Sequence, residues 1–201
     1  MLLIGNGRLV TRDQGLYLEN GAVAIEDRLI KEVGTTQELR AKYPHAEWID
    51  ADGGVIMPGL VNTHNHIYSA FARGLSIQGY NPHDFNDILE GMWWKIDRLL
   101  TKENDYLSAQ AVYIDCIKNG VTTIFDHHAS YYDIPGSLDT LADAAKQLGV
   151  RTSLCYEVSD RDGEKKMHEA VIENERMILR ANADDSDMLK GMMGLHAAFT
   201  V

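Results

Sequence analysis

The chain has 201 residues, of which 45% are hydrophobic and 24% are charged, a composition typical of a soluble globular protein with one or two domains. A formal net charge of −11 argues against a duplex nucleic-acid binder, because phosphate contacts need clustered Lys and Arg side chains. No apolar run approaches the ~18 residues of a membrane span and no basic leader is present, so we expect a cytoplasmic protein that acts on a small molecule, with no membrane or nucleic-acid partner.

Short apolar runs separated by turn residues predict a small β module over residues 1–57. Gly5-Asn6-Gly7 predicts one turn. Asn20-Gly21 predicts a type I′ hairpin, because both central residues of that turn need a positive φ. Thr36 is expected to cap a short helix that extends to Tyr43. The expected arrangement is a β-meander with one helix.

From Pro58 onward the pattern alternates between strand and helix, which is typical of parallel β/α units. Predicted strands cover residues 60–66, 121–125, 150–158 and 188–201, and Asp84, Thr101 and Ser137 are expected to start helices. Four units are half of the eight that close a β/α barrel, so residues 58–201 are predicted to be the first half of a truncated (β/α)8 barrel. Open strand edges favour aggregation, so we expect a fragment of a longer protein; a complete small α/β domain is the alternative.

The pair His64 and His66 lies at the end of the first predicted barrel strand. Side chains alternate along a strand, so both imidazoles project from one face, into the mouth where β/α barrels hold their active sites. Imidazole nitrogens are good Zn²⁺ ligands, and two from one strand form a rigid half-site. A bare H-x-H pattern is more often a pair of hydrogen-bonded structural residues, so the surrounding sequence decides.

The segment Ile-Met-Pro-Gly-Leu-Val-Asn-Thr-His-Asn-His at 56–66 resembles the P-G-[LF]-[IV]-[DN]-x-H-x-H signature of the amidohydrolase superfamily. Segments 21–26, 33–34 and 119–126 agree, so the resemblance covers essentially the whole chain. It implies a small β-sandwich portion at 1–57 followed by a TIM-like (β/α) barrel, an α/β fold. The runs at 70–75 and 125–129, with Asn65 between the histidines, are most similar to the cytosolic deaminase and chlorohydrolase group, and more narrowly to SsnA-type aminohydrolases.

The resemblance also implies a set of metal ligands. His196, in Gly-Leu-His-Ala-Ala-Phe-Thr at 194–200, looks like the family's G-x-H-x-x-[YF]-[TS] segment, so His64, His66 and His196 are the expected ligands. They would hold one divalent metal, Zn²⁺ or alternatively Fe²⁺. A fourth histidine, a catalytic Glu and a catalytic Asp are expected beyond Val201. No catalytic residue is therefore identified within the chain, and the chain alone is expected to be inactive.

The implied function is a metal-dependent amidohydrolase that hydrolyses non-peptide C–N bonds. We expect a deaminase that attacks a small heterocyclic substrate with hydroxide generated at the metal. The alternatives are chlorohydrolase-type dehalogenation on the same fold and a non-catalytic barrel homologue. The full-length protein is expected to be a homo-oligomer.

Three further residues are candidates for substrate contact. His127 and His128 follow the second predicted barrel strand and should face the mouth, although structural hydrogen bonding is the more common role of such residues. Trp94 lies off the apolar stripe of its predicted helix, whereas Trp93 lies on it and is expected to pack in the core.

Overall fold

The structure is a computed structural model that describes residues 1–13 and 15–201. The chain forms two compact units, Met1–Gly59 and Leu60–Val201. Within the described residues, no helix is both long enough and apolar enough to cross a membrane.

The first unit is a five-stranded sheet with one helix. Its elements are β1 (Leu2–Val10), β2 (Tyr17–Glu26), β3 (Leu29–Thr35), α1 (Thr36–Lys42), β4 (Glu47–Asp50) and β5 (Val55–Ile56). The strand order is β3-β2-β1-β4, and β5 also pairs with β1. The first three strands are antiparallel neighbours, whereas β4 and β5 run parallel to β1, so the unit is more than the predicted meander. A small core contains Leu3, Ala22, Ala24 and Leu39.

Both turns predicted in this unit are wrong. Strand β1 continues through Gly5-Asn6-Gly7 as an irregularity in its pairing with β2, and β2 continues through Asn20-Gly21. Gly21 is explained by packing, because a Cβ at this position would lie 2.4 Å from the Cβ of Leu9. The chain instead reverses between β2 and β3 at Asp27, whose φ is 55°. Long-range pairing therefore overrides the local turn preference of Asn-Gly.

Helix α1 confirms the predicted helix, with its cap one residue earlier than expected. The Thr35 side chain accepts a hydrogen bond from the Glu38 N–H, and the Glu38 carboxylate accepts one from the Thr35 N–H. This reciprocal capping box satisfies two N–H groups that the first helical turn leaves unpaired.

The second unit consists of parallel β/α units, as predicted. Its strands are β6 (Leu60–Asn65), β7 (Val121–His128), β8 (Arg151–Val158), β9 (Leu189–Gly191) and β10 (Gly194–Leu195). Its helical elements are a 3₁₀ helix (Ile67–Ala72), α2 (Phe85–Ile88), a π turn (Leu89–Trp93), α3 (Trp94–Ile96), α4 (Lys102–Lys118), α5 (Ser137–Leu148) and α6 (Glu164–Asn182). The sheet order is β10-β8-β7-β6, with all neighbours parallel and β9 also paired with β8.

Local signals position these elements. Thr101 caps α4 in a reciprocal capping box with Asn104, and Gly149 ends α5 with a φ of 73° that favours glycine. The helices pack on the sheet through fully buried side chains, among them Tyr113, Ile124, Leu138, Leu154 and Met177.

The strand predicted over 188–201 is wrong in its extent. Two short strands, β9 and β10, replace it, with Met192 and Met193 between them. The chain then leaves the sheet after Leu195. Gly194 permits close contact with β8, because a Cβ there would lie 2.5 Å from the Tyr156 carbonyl oxygen. His196 follows the strand directly, and its N–H donates to the Val158 carbonyl oxygen at 3.1 Å.

Candidate functional site

A cleft of about 560 Å³ opens where the carboxyl ends of the parallel strands meet. Its polar lining consists of Thr63, His64, Asn65, His66, Ser69, Asp126, His127, Glu157 and His196, and its larger apolar lining includes Tyr68, Phe85, Trp93, Trp94, Phe125 and Leu195. The common end of the parallel strands therefore brings four histidines to one cavity.

His64 and His66 lie side by side on the cleft wall, as the strand pattern predicts. Their ring centroids are 5.0 Å apart in an edge-to-face arrangement. Nδ1 of His66 lies 2.9 Å from the His127 carbonyl oxygen. Since a carbonyl only accepts hydrogen bonds, Nδ1 carries a proton, which leaves Nε2 as the nitrogen available for a ligand. This is the orientation in which histidine ligates metals, with the second nitrogen held by a backbone acceptor.

Asp126 fixes the backbone that carries these two imidazoles. Its Oδ1 oxygen accepts a hydrogen bond from the Ile67 N–H at 2.6 Å and one from the Asn65 side chain at 3.0 Å. The side chain is buried, and this burial raises the pKa of the Asp126 carboxyl. Its contacts link β7 to the end of β6 and so hold the His64–His66 segment in place.

His127 extends the row of imidazoles across the cleft wall. Its ring centroid lies 5.7 Å from that of His66, and its Nε2 lies 3.2 Å from the Leu195 carbonyl oxygen, to which it donates. Burial and the neighbouring His66 lower the pKa of His127 to about 4, so the ring is neutral near pH 7. Nδ1 is buried with no hydrogen-bond partner among the described residues. Nδ1 of His127 is therefore an unused hydrogen-bond acceptor next to the cleft.

His128 does not line the cleft, so its predicted contact with substrate is wrong. The ring is fully buried, with Nε2 lying 2.9 Å from Ser130 Oγ and 3.3 Å from a carboxylate oxygen of Asp105 on α4. Strand β7 continues through His128, and alternation therefore sends His127 and His128 to opposite faces. Burial opposes protonation, but Asp105 outweighs it and raises the pKa of His128. Its role is structural.

His196 lies apart from the His64–His66 pair, against Trp94 and Phe199, with ring centroids at 6.4 Å and 6.2 Å respectively. Its Nδ1 lies 2.7 Å from Thr200 Oγ1, which leaves Nε2 towards Glu157 Oε2 at 3.9 Å. Burial and the charge of Arg161 lower the pKa of His196.

The predicted ligand trio is not assembled. Over residues 1–13 and 15–201, no group of three or more His, Cys, Asp or Glu side chains is placed to hold a metal ion. The donor chemistry of His64 and His66 fits a divalent metal, because two imidazoles stand adjacent and one is oriented by a carbonyl. His196 lies outside this adjacent pair, against Trp94 and Phe199.

Trp94 lines the cleft, consistent with the expectation that it lies off the core stripe. Its indole N–H is buried and has no acceptor among the described residues. Trp93 packs edge-to-face on Tyr68, with centroids 6.0 Å apart, as expected for a core residue, although it also reaches the cleft. The π turn that precedes α3 places both side chains here, and no sequence pattern predicts it.

A charged cluster that the sequence patterns do not predict lies beside Trp94. Arg161 Nη2 lies 2.5 Å from Asp97 Oδ2 and 3.1 Å from Glu157 Oε1, and all three side chains are at least 95% buried. Burial raises the pKa of Asp97 to about 6 and also raises that of Glu157, both against the opposing effect of Arg161. The available signal was a glutamate in the buried strand 150–158 with an arginine four residues later.

Comparisons with known proteins agree with this geometry. Residues 55–201 match a family described as "Amidohydrolase family", and residues 21–46 match an "Imidazolonepropionase-like composite domain, bacteria". The 5'-deoxyadenosine deaminase of Methanosarcina barkeri is 30% identical over 200 residues, which are 99% of this chain and 43% of that protein. The chain thus spans less than half of the length of this relative.

Two solved structures share the fold. A mutant of the atrazine chlorohydrolase TrzN from Arthrobacter aurescens TC1, complexed with zinc and atraton, superposes with a TM-score of 0.79 at 22% identity, over 100% of this chain and 48% of that one. E. coli guanine deaminase superposes with a TM-score of 0.77 at 18% identity, over 100% of this chain and 48% of that one.

Proposed function

Because the chain belongs to the amidohydrolase family, we propose that it forms the His64–His66 half of the active site of a metal-dependent hydrolase that cleaves non-peptide C–N bonds. The reaction is the deamination of a small heterocyclic substrate. The observation that supports it most directly is the adjacent pair of imidazoles at the mouth of the parallel sheet, with Nδ1 of His66 held by the His127 carbonyl.

In this proposal His64 and His66 hold one divalent metal, with Zn²⁺ preferred to Fe²⁺. Such an ion, when bound, makes hydroxide available near neutral pH by lowering the pKa of water. Asp126 keeps the two imidazoles in register through its hydrogen bonds to Ile67 and Asn65. The acid and base that move protons to the leaving amine are proposed to come from residues outside this chain.

His127, Trp94 and His196 form the remaining wall. The His127 ring, neutral near pH 7, and the Trp94 indole give this wall flat surfaces that suit a heterocyclic ring. Since His196 stands beside Trp94 and apart from His64, we propose that it contacts the substrate, which revises its expected role as a ligand.

The test uses the intact protein, purified gently and assayed for bound metal and for ammonia released from 5'-deoxyadenosine and guanine. We expect about one equivalent of metal, which His64→Ala and His66→Ala both remove. His168→Ala, at an exposed position on α6, is the matched control and should keep metal and activity. Less than about 0.2 equivalents of metal in the wild-type protein would refute the catalytic proposal and favour the non-catalytic homologue.

Two further measurements separate the alternatives. Release of chloride from a chlorinated s-triazine, without release of ammonia from the purines, would favour the chlorohydrolase alternative, which the TrzN neighbour supports. Metal retained by His196→Ala together with a raised KM would support substrate contact, whereas loss of the metal would return His196 to the ligand set. The cytoplasmic location, the homo-oligomeric state, the inactivity of the chain alone and the SsnA-type resemblance stay predictions.

A further inference from the structure

The buried cluster beside the cleft carries unequal charge. It contains two carboxylates, Asp97 and Glu157, and one guanidinium, Arg161, whose side chains are between 1% and 5% exposed. With all three ionised, one negative charge is left over. A buried charge without a partner is costly, so such a site favours a ligand that supplies the missing positive charge or several N–H donors.

The excess negative charge lies at Glu157. Asp97 accepts two hydrogen bonds from Arg161, from Nη2 to Oδ2 at 2.5 Å and from Nη1 to Oδ1 at 3.3 Å. Asp97 is not among the residues that line the cleft. Glu157 lines the cleft and meets Arg161 only through Oε1, at 3.1 Å from Nη2 and 3.2 Å from Nε. Its Oε2 oxygen has no hydrogen-bond donor within the described part of the chain. One carboxylate oxygen is therefore free to accept.

Apart from Arg161, no cationic side chain of the described residues lies within hydrogen-bond distance of Glu157, although His66 and His128 act on it from farther away. The nearest cationic candidate is His196, whose Nε2 is 3.9 Å from Glu157 Oε2, beyond hydrogen-bond distance. The guanidinium of Arg161 is also held between the rings of Tyr131, at 3.9 Å, and Trp94, at 5.2 Å. These contacts, with the hydrogen bonds to Asp97, favour the observed position of Arg161.

We propose that Glu157 is a specificity-determining residue that binds the N–H groups of an amidine or of an amino-substituted nitrogen heterocycle through Oε2. This assignment rests on the proposed function, because it takes the cleft to be the substrate site. The flat ring of such a ligand is suited to the aromatic wall that Trp94 provides, and the cleft of about 560 Å³ has room for it.

The first test compares two probes of equal shape on the wild-type protein. Benzamidine carries a positive amidinium group, and benzamide is its neutral counterpart. Isothermal titration calorimetry should show that benzamidine binds at least ~10-fold more tightly, as expected for a charge-assisted hydrogen bond in a buried site. Equal affinities, or tighter binding of benzamide, would overturn the proposal without any variant.

The second test removes the charge. In Glu157→Gln, benzamidine should lose ~10-fold or more in affinity and benzamide should change by less than about 2-fold. Glu157→Asp keeps the charge and should restore part of the benzamidine affinity. Glu169→Gln, which alters a partly exposed glutamate paired with Lys166 on α6, is the matched control and should bind both probes as the wild type does.

These binding experiments require no turnover, so the two proposals fail separately. A benzamidine preference that depends on Glu157 in a protein without metal or ammonia release would refute the proposed function and support this one. Ammonia release from a purine with a KM that is the same in the wild type and in Glu157→Gln would refute this one alone.

Discussion

Replacement of Arg161 by methionine tests how the charged cluster stabilises the second unit. The change keeps an unbranched side chain of similar length and removes the only cation that contacts Asp97 and Glu157 in the described residues. Breaking a buried ion pair by removing one partner leaves an uncompensated charge, which typically costs about 3–5 kcal/mol of unfolding free energy. We expect a loss of this size at pH 8.

The loss should shrink at lower pH. Burial holds the pKa of Asp97 at about 6 with Arg161 in place, above the ordinary value of 3.8. A carboxyl whose pKa is higher in the folded state favours folding as the pH falls through that value, because the folded protein then binds the extra proton. Without Arg161 the pKa of Asp97 should rise further. At a pH above the raised pKa, each added pKa unit lowers the unfolding free energy by about 1.4 kcal/mol. The deficit at pH 5 should therefore be smaller than the deficit at pH 8.

The assay is urea unfolding followed by circular dichroism at pH 8 and pH 5. Arg98→Met is the matched control, since Arg98 pairs with Asp162 at 2.5 Å in a position where its side chain is 42% exposed. Exposed pairs contribute about 0–1 kcal/mol, so this variant should lose little stability at either pH. Equal losses in the two variants, or a loss in Arg161→Met that does not change with pH, would refute the reasoning.

Three other predictions follow from buried contacts and caps. Asp126→Ala should lower the unfolding free energy by about 2–4 kcal/mol, whereas Asp126→Asn keeps the acceptor for the Ile67 N–H and should lose less than half of that in the same urea assay. Thr101→Ala should cost about 1 kcal/mol, and a melting temperature unchanged from the wild type would contradict the capping box of α4. Asp105 raises the pKa of His128, so the stability that this histidine contributes is present below its unfolded pKa of ~6.5 and is lost as the pH rises through the folded value. His128→Gln should therefore flatten the dependence of the unfolding free energy on pH in this range. Parallel pH profiles of the variant and the wild type would refute this.

The parallel β/α order of the second unit could be predicted because its signals are local. Apolar residues at helical spacing, the cap at Thr101 and the glycine at 149 each act within one turn of a helix, and tertiary contacts agree with them. In the first unit the same kind of signal failed. Asn20-Gly21 is a typical hairpin-turn sequence, but it lies within a continuous strand. Gly21 is needed there because a side chain would clash with Leu9.

In the candidate site, too, the positions set by neighbouring residues could be predicted, and those set by more distant contacts could not. His64 and His66 share one strand, so their spacing alone predicts that they face the same cavity. The directions of the His127 and His128 side chains depend on where β7 ends. The strand is three residues longer than expected, so the His128 side chain points into the core.

The charged cluster of Asp97, Glu157 and Arg161 depends on distant parts of the sequence, because Asp97 and Arg161 are 64 residues apart in the chain. No spacing rule relates them, and neither residue belongs to a motif. Glu157 in a buried strand was nevertheless a usable signal, since a glutamate is rarely fully buried without a partner. The partner found four residues later accounts for only one of its two oxygens. An unpaired oxygen on a cleft wall lined by imidazoles and tryptophan is better explained by a ligand than by the fold, because folding alone would be served as well by an apolar side chain.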